Sequence, residues 1–388
     1  MLRVLTLSTL FPDATRPTFG VFVERQTRGL AERAGVAVEV VVPVGLPPGP
    51  FRHLSHYRAR TGLPLHEIRN GLSIHRPRFL HIPGPGARLA PTMIARALRP
   101  MLARLRETFP FDVIDAEFFW PDGPAAIALG KTFGVPVSIK SRGSDIHHWG
   151  RNGPTARQVR HAGQSADGML AVSAALKRDM VALGMPEDRI LVHYTGVDLD
   201  RFQPFDREAA KAALGIAGPL LITVGYLIER KGQQLVIEAM QKIPEATLLL
   251  VGEGPGRPAI EAQIARAGLK DRVRLLGARP HDDLPRLFAA ADLMVLPSMS
   301  EGLANVWVEA LACGTPIVIA DVGGARELLD RPAAGLLADR DPDAIAAAVR
   351  TLLAAPPARL ETRATAERFT WKTNGAALEA HLSGLVQR

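Results

Sequence analysis

The sequence predicts an α/β protein with two doubly wound domains, and three observations lead to this class. The chain has 388 residues, more than one hydrophobic core ordinarily holds, so two domains are expected. Continuous apolar strands alternate with helices, which is typical of parallel sheets covered by helices. This alternation pauses near residue 203 and then restarts. We therefore predict an N-terminal domain at 1–203, a C-terminal domain at 204–370 and a final helix at 371–388, a candidate to return to the first domain.

The first half opens with a strand at 2–8, a helix at 21–34 and a strand at 36–42, which together form a βαβ unit. Further strands are predicted at 72–76, 113–116, 135–140 and 168–172, and a strand followed by a turn is predicted at 190–198. Further helices are predicted at 92–107, 124–132, 153–164 and 174–183. Pro100 should end or kink the first of these helices near Arg99, because proline removes a helical hydrogen bond. Apart from one strand, residues 43–91 are expected to be irregular.

The second half repeats the same alternation of short apolar strands and helices. Its strands are predicted at 220–224, 247–251, 273–276, 293–296 and 316–320. Its helices are predicted at 233–239, 257–267, 283–290, 342–354 and 371–386, with another between the last two strands.

Composition indicates a globular protein, with 47% hydrophobic and 22% charged residues. The single cysteine, Cys313, excludes an intrachain disulfide and is typical of a reducing compartment. It follows an apolar run, where a small core residue is expected. The N-terminal strand leads directly into a polar turn, unlike a signal peptide, and no apolar run reaches the roughly 20 residues of a spanning helix. The predicted location is the cytoplasm.

Positive charge is concentrated in the first half of the chain. The net charge is +8, and residues 51–106 contain 11 arginines against one acid, Glu67. One hypothesis is that this stretch binds an anionic membrane surface, which would make the protein peripheral at the inner face of the membrane. The alternative is a solvated arginine-rich face. Nucleic-acid binding lacks an accompanying motif or aromatic platform, so no nucleic-acid partner is predicted.

Residues 292–328 contain the pattern on which the functional interpretation rests. A buried strand, a polar loop, a helix, a second strand and a glycine loop follow one another, and Glu301 and Glu309 bracket the start and body of the helix. The loop with Gly302 and Ala304 exposes backbone N–H groups suited to an anion. Glu309, on an apolar face, needs a partner such as a pair of sugar hydroxyls, unless it points to solvent. Glu301 could equally cap the helix.

Arg230 and Lys231 follow the strand at 220–224, at the edge where open α/β sheets bind ligands. Two cations there could hold a diphosphate, and the alternative is a solvated pair. The glycines of 252–256 lack the spacing of a nucleotide-binding loop and indicate a structural turn. Of two Asp-x-Asp triplets, the one at Asp341 indicates a helix cap and the one at Asp198 a surface turn. No metal site is predicted.

With these residues assembled, the chain resembles the retaining glycosyltransferases of family 4, which have the GT-B fold. The resemblance covers nearly the whole length. Its most specific part is Glu301-Gly-x-x-x-x-x-x-Glu309, followed by Ala-x-Ala-Cys-Gly-x-Pro and Val322-Gly-Gly. Supporting motifs are Arg142-Gly-Ser-Asp145, Val172-Ser173, Thr195-Gly-Val-Asp198, Phe202-x-Pro204, Lys231-Gly232 and Pro297-Ser298. The resemblance implies two Rossmann-like domains facing across a cleft that holds the active site, with no metal and no cofactor besides the substrate nucleoside-diphosphate sugar.

The resemblance also implies roles for individual residues. Glu309 would hold the ribose hydroxyls and Glu301 would contact the donor hexose. Lys231, with Arg230, would neutralise the leaving diphosphate. The remaining donor-binding positions are Gly20, Gly225, Gly302, Leu303, Ala304 and Asn305. Acceptor contacts are expected from the first domain, with Arg142, Asp145, Glu117, Trp120 and Asp122 as candidates.

Three positions depart from the family pattern. Tyr226 stands where an arginine usually follows the first glycine of the phosphate loop, Arg142 replaces a histidine and Thr195 replaces an asparagine. This combination is similar to the bacterial branch that builds capsule and teichuronic-type polysaccharides.

The predicted function is transfer of a hexose from a UDP- or GDP-sugar to a hydroxyl of a polyprenyl-linked or glycan acceptor. Retention of anomeric configuration and a role in cell-surface polysaccharide synthesis are expected. The alternative is a GT-B sugar-nucleotide epimerase or phosphorylase.

Overall fold

A computed structural model describes residues 1–151 and 153–387, without the side chains at positions 52, 53, 55, 56 and 85. Five side chains of the basic stretch 51–106 and the whole of residue 388 therefore lie outside what the structure describes. The chain divides into two compact units. The first comprises Met1–Tyr194 and Trp371–Arg388, and the second comprises Thr195–Thr370.

The first unit is built on an eight-stranded sheet and a separate pair of short strands. Its strands are β1 (Leu2–Leu7), β2 (Val36–Val41), β3 (Val44–Leu46), β4 (His66–Arg69), β5 (Leu72–His75), β6 (Arg78–Leu80), β7 (Val113–Ala116), β8 (Val137–Ser141), β9 (Gly168–Ala171) and β10 (Ile190–Val192). The sheet order is β10-β9-β8-β7-β1-β2-β5-β4, and β3 pairs with β6. All neighbours in the sheet are parallel except β4, which is antiparallel to β5.

Helices of the first unit follow its strands along the chain. They are α1 (Val21–Ala31), α2 (Ser55–Thr61), α3 (Ala90–Thr108), α4 (Asp122–Phe133), α5 (Gly153–Ser165) and α6 (Ala174–Ala182). Helix α3 does not end near Arg99 but continues through Pro100 to Thr108. Pro100 and Arg96, whose carbonyl loses its helical partner, both lie on the exposed side, so solvent can satisfy that carbonyl.

The C-terminal helix of the chain completes the core of the first unit. Leu378 and Leu382 pack with Val4 and Leu30 in one fully buried cluster. His381 lies 3.0 Å from the hydroxyl of Ser138, which belongs to β8. The last segment is thus part of the N-terminal fold by its hydrophobic contacts as well as its hydrogen bonds.

The second unit contains a six-stranded sheet that is parallel throughout. Its strands are β11 (Leu220–Val224), β12 (Thr247–Val251), β13 (Val273–Gly277), β14 (Leu293–Leu296), β15 (Ile317–Ile319) and β16 (Gly335–Leu337), in the order β13-β12-β11-β14-β15-β16. Its helices are α7 (Arg207–Ala213), α8 (Gln233–Ala239), α9 (Arg257–Arg266), α10 (Leu284–Ala290), α11 (Asn305–Ala312), α12 (Ala325–Leu328), α13 (Pro342–Ala354) and α14 (Arg359–Ala364), and the chain ends in α15 (Trp371–Val386) of the first unit.

The sequence missed only short elements. Residues 43–91, expected to be irregular apart from one strand, also contain α2, β3, β4 and β6, and the second unit adds α7, α12, α14 and β16. These strands have three or four residues, which is too short for hydrophobic alternation to identify them.

The predicted fold class is confirmed: the protein is α/β, with two Rossmann-like parallel sheets. Cys313 is buried, as expected for a core residue. Within residues 1–151 and 153–387, no helix combines the length and apolar character needed to cross a membrane.

Candidate active site

The loop after β11 is held in place by the glycine turn after β12. Leu227 N–H donates to the carbonyl of Glu253 at 2.9 Å, and a Cβ at Gly252, where φ is +143°, would lie 2.0 Å from the carbonyl oxygen of Gly225. Gly225 N–H donates in turn to Val251 O at 2.9 Å. The glycines of 252–256 therefore serve backbone packing, as the structural-turn interpretation predicts.

Lys231 and Glu301, the two residues given the central roles by the sequence, form an ion pair with each other. Their side chains retain 16% and 11% exposure, so solvent reaches both. Arg230 points elsewhere: its guanidinium donates to the carbonyl oxygen of Ser300 at 2.7 Å. Met299 N–H donates to Arg230 O at 2.8 Å, which ties the two loops together.

Two further glycines bring the loops around this ion pair into direct contact. Gly232 has φ +78°, and a Cβ there would lie 2.5 Å from Pro297 O. Gly323 has φ +52°, and a Cβ there would lie 2.2 Å from Glu301 O. Gly324 N–H also donates to Gly302 O at 2.7 Å. The backbone of Glu301 and Gly302 is thus fixed by the glycine loop that the sequence placed after β15.

Helix α11 begins directly after this fixed backbone. Gly302, Leu303 and Ala304 are buried, Ala304 is extended, and Asn305 is the first helical residue. The first N–H groups of a helix have no partner within it and carry partial positive charge. The start of α11 can therefore accept an anionic group close to the Lys231–Glu301 pair.

Glu309 does not point to solvent. Its side chain is 8% exposed, and one carboxylate oxygen lies 2.8 Å from Nε2 of His281. The His281 ring also packs edge-on against Phe202, with ring centres 5.1 Å apart. His281 is not among the residues predicted from the sequence, although its position soon after the carboxyl end of β13 is a signal that indicates a ligand-binding edge.

Among the acceptor candidates, Glu117 and Arg142 belong to a buried cluster of charges. Glu117 is fully buried, contacts the Arg142 guanidinium, and lies 3.0 Å from the Lys140 ammonium and 2.6 Å from the Gln26 amide. Burial would raise the pKa of Glu117, but the two cations outweigh it and lower that pKa to about 2. Burial raises the pKa of Asp115 to about 7, with Lys140 opposing the shift.

Asp145 and Asp122 hold loops at the carboxyl ends of the strands. Asp145 accepts hydrogen bonds from the backbone N–H groups of Gly143 at 2.8 Å, Arg142 at 3.0 Å and Phe119 at 3.1 Å. Asp122 accepts from Thr9 N–H at 2.9 Å. Burial raises the pKa of both carboxyls, that of Asp122 to about 7. Both side chains organise backbone around the acceptor candidates; their direct contact with an acceptor stays a prediction.

Trp120 is the acceptor candidate that lines a cavity, one of about 440 Å³ within the first unit. Its indole N–H donates to the Gln158 side chain at 2.8 Å, and its ring stacks on Trp149 with centres 4.2 Å apart. Gly20, at the start of α1, has φ +73°, and a Cβ there would lie 2.5 Å from the carbonyl carbon of Leu10. Close packing explains why a glycine is needed at this position, and its contact with the donor phosphates stays a prediction.

The acidic triplets behave as turns and caps. The Asp341 carboxylate accepts from Asp343 N–H at the start of α13, and the Asp198 carboxylate accepts from Asp200 N–H in a turn. In the part of the chain that the structure describes, no group of three or more His, Cys, Asp or Glu side chains could hold a metal ion.

Two Rossmann-like sheets, with a cation–carboxylate pair and a helix start at the carboxyl edge of the second, are the arrangement expected of a GT-B glycosyltransferase. Solved structures support the fold. Sucrose-phosphate synthase from Thermosynechococcus elongatus matches with a TM-score of 0.78 at 22% identity, covering 100% of this chain and 98% of that one. Anabaena Alr3699/HepE in complex with UDP and glucose matches with a TM-score of 0.77 at 22% identity, covering 99% and 100%.

Sequence comparison gives the family. Residues 20–201 match the family described as Glycosyltransferase Family 4, and residues 206–369 match Glycosyl transferases group 1. TuaC of Bacillus subtilis (strain 168), named for teichuronic acid biosynthesis, is 30% identical over 364 residues, covering 90% of this chain and 88% of that protein. D-inositol 3-phosphate glycosyltransferase 1 of Catenulispora acidiphila is 30% identical over 392 residues, covering 92% and 88%. The chain belongs to the group 1 and family 4 glycosyltransferases and is a glycosyltransferase enzyme.

Proposed function

We propose that the enzyme transfers a hexose from a UDP- or GDP-sugar to a hydroxyl of a polyprenyl-linked or glycan acceptor, with retention, in cell-surface polysaccharide synthesis. The Lys231–Glu301 pair beside the start of α11 carries this proposal, because it places exchangeable charge where a diphosphate would bind. The name of TuaC supports the biosynthetic role, and the UDP-glucose complex of Anabaena HepE supports the class of donor.

Lys231 has the central role in the proposed mechanism. When the glycosidic bond breaks, negative charge develops on the leaving diphosphate, and a positioned ammonium stabilises that charge. In the free enzyme Glu301 pairs with this ammonium. A bound diphosphate would replace Glu301 as its partner, which leaves the carboxylate free to accept a hydrogen bond from a hexose hydroxyl.

The other donor contacts follow from the same arrangement. Glu309, oriented by His281, would accept hydrogen bonds from the ribose hydroxyls. The start of α11 would face the diphosphate or the sugar. Arg230, which donates to Ser300 O, would mainly position the loop that carries Glu301. In this scheme Lys231 and the helix start supply the positive charge at the diphosphate, so the reaction is proposed to need neither metal nor cofactor.

The decisive experiment compares Lys231→Ala with Lys270→Ala, whose side chain is exposed on the same unit. Removing a group that stabilises developing charge costs about 100- to 1,000-fold in turnover. We expect a loss of that size for Lys231→Ala and none for Lys270→Ala, with both melting temperatures near that of the parent enzyme. Turnover of Lys231→Ala within twofold of the parent enzyme would contradict the proposal.

Thermal stabilisation identifies the donor. A ligand that binds only the folded state raises its stability as its concentration exceeds Kd. UDP, GDP and their hexose conjugates should therefore separate in melting temperature, and the stabilising nucleotide names the base. If none of them raises the melting temperature, the proposed donor class is wrong.

An epimerase or phosphorylase would use a similar donor site. Incubation with a donor labelled in the hexose distinguishes the reactions. Label in a glycan or polyprenyl product supports transfer, whereas epimerised donor or phosphate-dependent cleavage supports the rival enzymes.

We also propose a peripheral position at the inner face of an anionic membrane. Arg96, Arg99 and Arg104 lie exposed on helix α3, and each arginine near an anionic surface contributes about 1 kcal/mol. Replacing all three by Gln should weaken sedimentation with anionic liposomes and leave binding to neutral liposomes unchanged. Equal binding of the parent enzyme to both kinds of liposome would dismiss the idea.

A further inference from the structure

The cavity of the first unit contains a cation that the proposed donor chemistry does not use. The cavity of about 440 Å³ lies beside the loop after β1 and is lined by Asp13, Arg16, Arg60 and His81, together with aromatic rings. Its charged residues come from three separate parts of the chain, so the fold, not one local motif, brings them together.

Only one of the two arginines is neutralised. Arg16 pairs with Asp13 at 3.0 Å and lies over the ring of Phe19, 4.2 Å from its centre. Asp13 also accepts from the N–H of Thr15 at 2.8 Å, so this carboxylate is fully engaged. Among the residues that the structure describes, the Arg60 side chain has no hydrogen-bond or ion-pair partner, although it is half-buried.

The surroundings of Arg60 destabilise the positive charge of its guanidinium. Burial lowers the pKa of Arg60 and the neighbouring Arg16 lowers it further, while Asp13 opposes the shift. Burial likewise lowers the pKa of His81, and Arg60 adds to that shift. A half-buried cation without a partner beside another cation is stabilised when an anion enters the cavity.

The aromatic residues that line the rest of the cavity can pack against a ring of a ligand. Trp120 and Trp149 stack on each other, and Trp120 is fixed by its hydrogen bond to Gln158. Phe19 and Phe118 also line the cavity. Ligand cavities are commonly apolar and aromatic with a few polar groups that orient the ligand, and here Arg60 is the polar group left available.

We propose that this cavity binds the acceptor through an anionic group, a phosphate or a carboxylate, which pairs with Arg60 while the adjoining part of the acceptor packs on the aromatic lining. The inference rests on the proposed transferase function, because only a second substrate requires a site apart from the donor loops. It narrows the acceptor from any glycan or polyprenyl-linked hydroxyl to one that carries negative charge.

Calorimetric titration of the full chain tests the proposal with four soluble probes. Glucose 1-phosphate, glucuronate and dimethylallyl phosphate carry an anion, and glucose does not. We expect at least one of the anionic probes to bind tenfold or more tightly than glucose. The probe that binds most tightly identifies the anionic group of the acceptor. Glucose 1-phosphate would indicate a phosphate on a sugar, glucuronate would indicate a carboxylate, and dimethylallyl phosphate would indicate the phosphate of a prenyl carrier.

Variants connect that binding to Arg60. Arg60→Gln should abolish the preference for the anionic probe, and Arg60→Lys should keep part of it. Arg58→Gln is the matched control, because Arg58 lies exposed on the same helix and does not line the cavity. If Arg60→Gln unfolds, the parent enzyme's preference for anionic probes and its weakening in high salt decide the matter.

Two results of the probe titrations would overturn the inference: no preference of the parent enzyme for any anionic probe, or a preference that survives in folded Arg60→Gln. UDP and GDP titrations of the same proteins separate this failure from that of the proposed function. If Arg60→Gln binds the nucleotide as tightly as the parent enzyme, the proposed donor site is unaffected by the failure of the acceptor proposal. Loss of nucleotide binding in Arg60→Gln would assign the cation to the donor and contradict an acceptor cavity.

Discussion

The charged groups at the carboxyl edges of the two sheets differ in their access to solvent. In the first unit, Glu117 and Lys140 are both fully buried and lie 3.0 Å apart. In the second unit, Lys231 and Glu301 also pair, but both side chains reach the surface of their unit. The first pair holds the fold together, whereas the second can exchange its partners for those of a ligand.

The difference follows from the energetics of buried charge. Removing one member of a buried pair leaves the other without compensation in a medium of low polarity, so such a cluster is fixed. A pair that keeps access to water interacts more weakly and can be opened by an incoming anion. Similar residue types at equivalent sheet edges thus have different roles because of their burial.

The largest effect is expected from breaking the buried cluster. Glu117→Ala leaves Arg142 without its carboxylate and Lys140 with only the more distant Asp115, 3.9 Å away, which should lower the free energy of unfolding by about 3–5 kcal/mol. Urea denaturation measures this change. Glu32→Ala, which removes an exposed pair with Arg28, is the control and should cost less than about 1 kcal/mol. If both variants lose the same small amount, the assigned role of the buried cluster is wrong.

A smaller effect is expected in the second unit, on binding and not on folding. Glu309→Gln keeps the size of the side chain but weakens hydrogen bonds from ribose hydroxyls by about 1.5 kcal/mol, or roughly tenfold in the Kd of the nucleotide. Titration calorimetry measures it, with Glu261→Gln, exposed on α9, as the control. An unchanged Kd would remove Glu309 from the donor site.

A further effect concerns the pH dependence of folding. Since burial raises the folded-state pKa of Asp122 to about 7, above its unfolded value, the contribution of this group to stability is lost as pH rises from about 4 to 7. Asp122→Asn should remove that slope, so its stability relative to the parent enzyme should increase over this range. Urea denaturation at several pH values measures the difference.

Asp112→Asn gives the opposite sign in the same experiment. Burial would raise the pKa of Asp112, but hydrogen bonds and the charge of Arg3 outweigh it and hold that pKa low. Its contribution is therefore present at neutral pH and lost as pH falls, so the variant's deficit should shrink in acid. Parallel pH profiles for the two variants would contradict the raised pKa of buried Asp122.

The sequence predicted the elements that carry the site but not the contacts between them. Apolar runs located β11, β14 and β15, and helix starts followed from the loops between them. Lys231 and Glu301 are 70 residues apart, and no local pattern shows that their side chains meet. The contact between His281 and Glu309 is also non-local. A carboxylate on an apolar helix face therefore predicted that Glu309 has a partner, but not which residue it is.

In the first unit the sequence predicted the loops that carry the acceptor candidates, but not what each candidate side chain contacts. Trp120 lines a cavity, whereas Glu117 and Asp145 are engaged by buried cations and backbone N–H groups. Residue type cannot separate these cases, because burial depends on packing between distant strands. The elements that bring Arg60 and His81 to that cavity, α2 and the end of β6, were missed because they are too short for a hydrophobic pattern to show.

The internal pair of Lys231 with Glu301 has a consequence for selectivity among phosphate compounds. An unpaired ammonium would bind any small phosphate that diffuses to it, and abundant inorganic phosphate would compete with the substrate. Because Glu301 already pairs with the ammonium, a phosphate must displace this carboxylate to bind. Only a ligand that gains binding free energy from further contacts, such as those of its ribose with Glu309, binds tightly. We expect Glu301→Gln to bind inorganic phosphate more tightly than the parent enzyme does, since the competing carboxylate is gone.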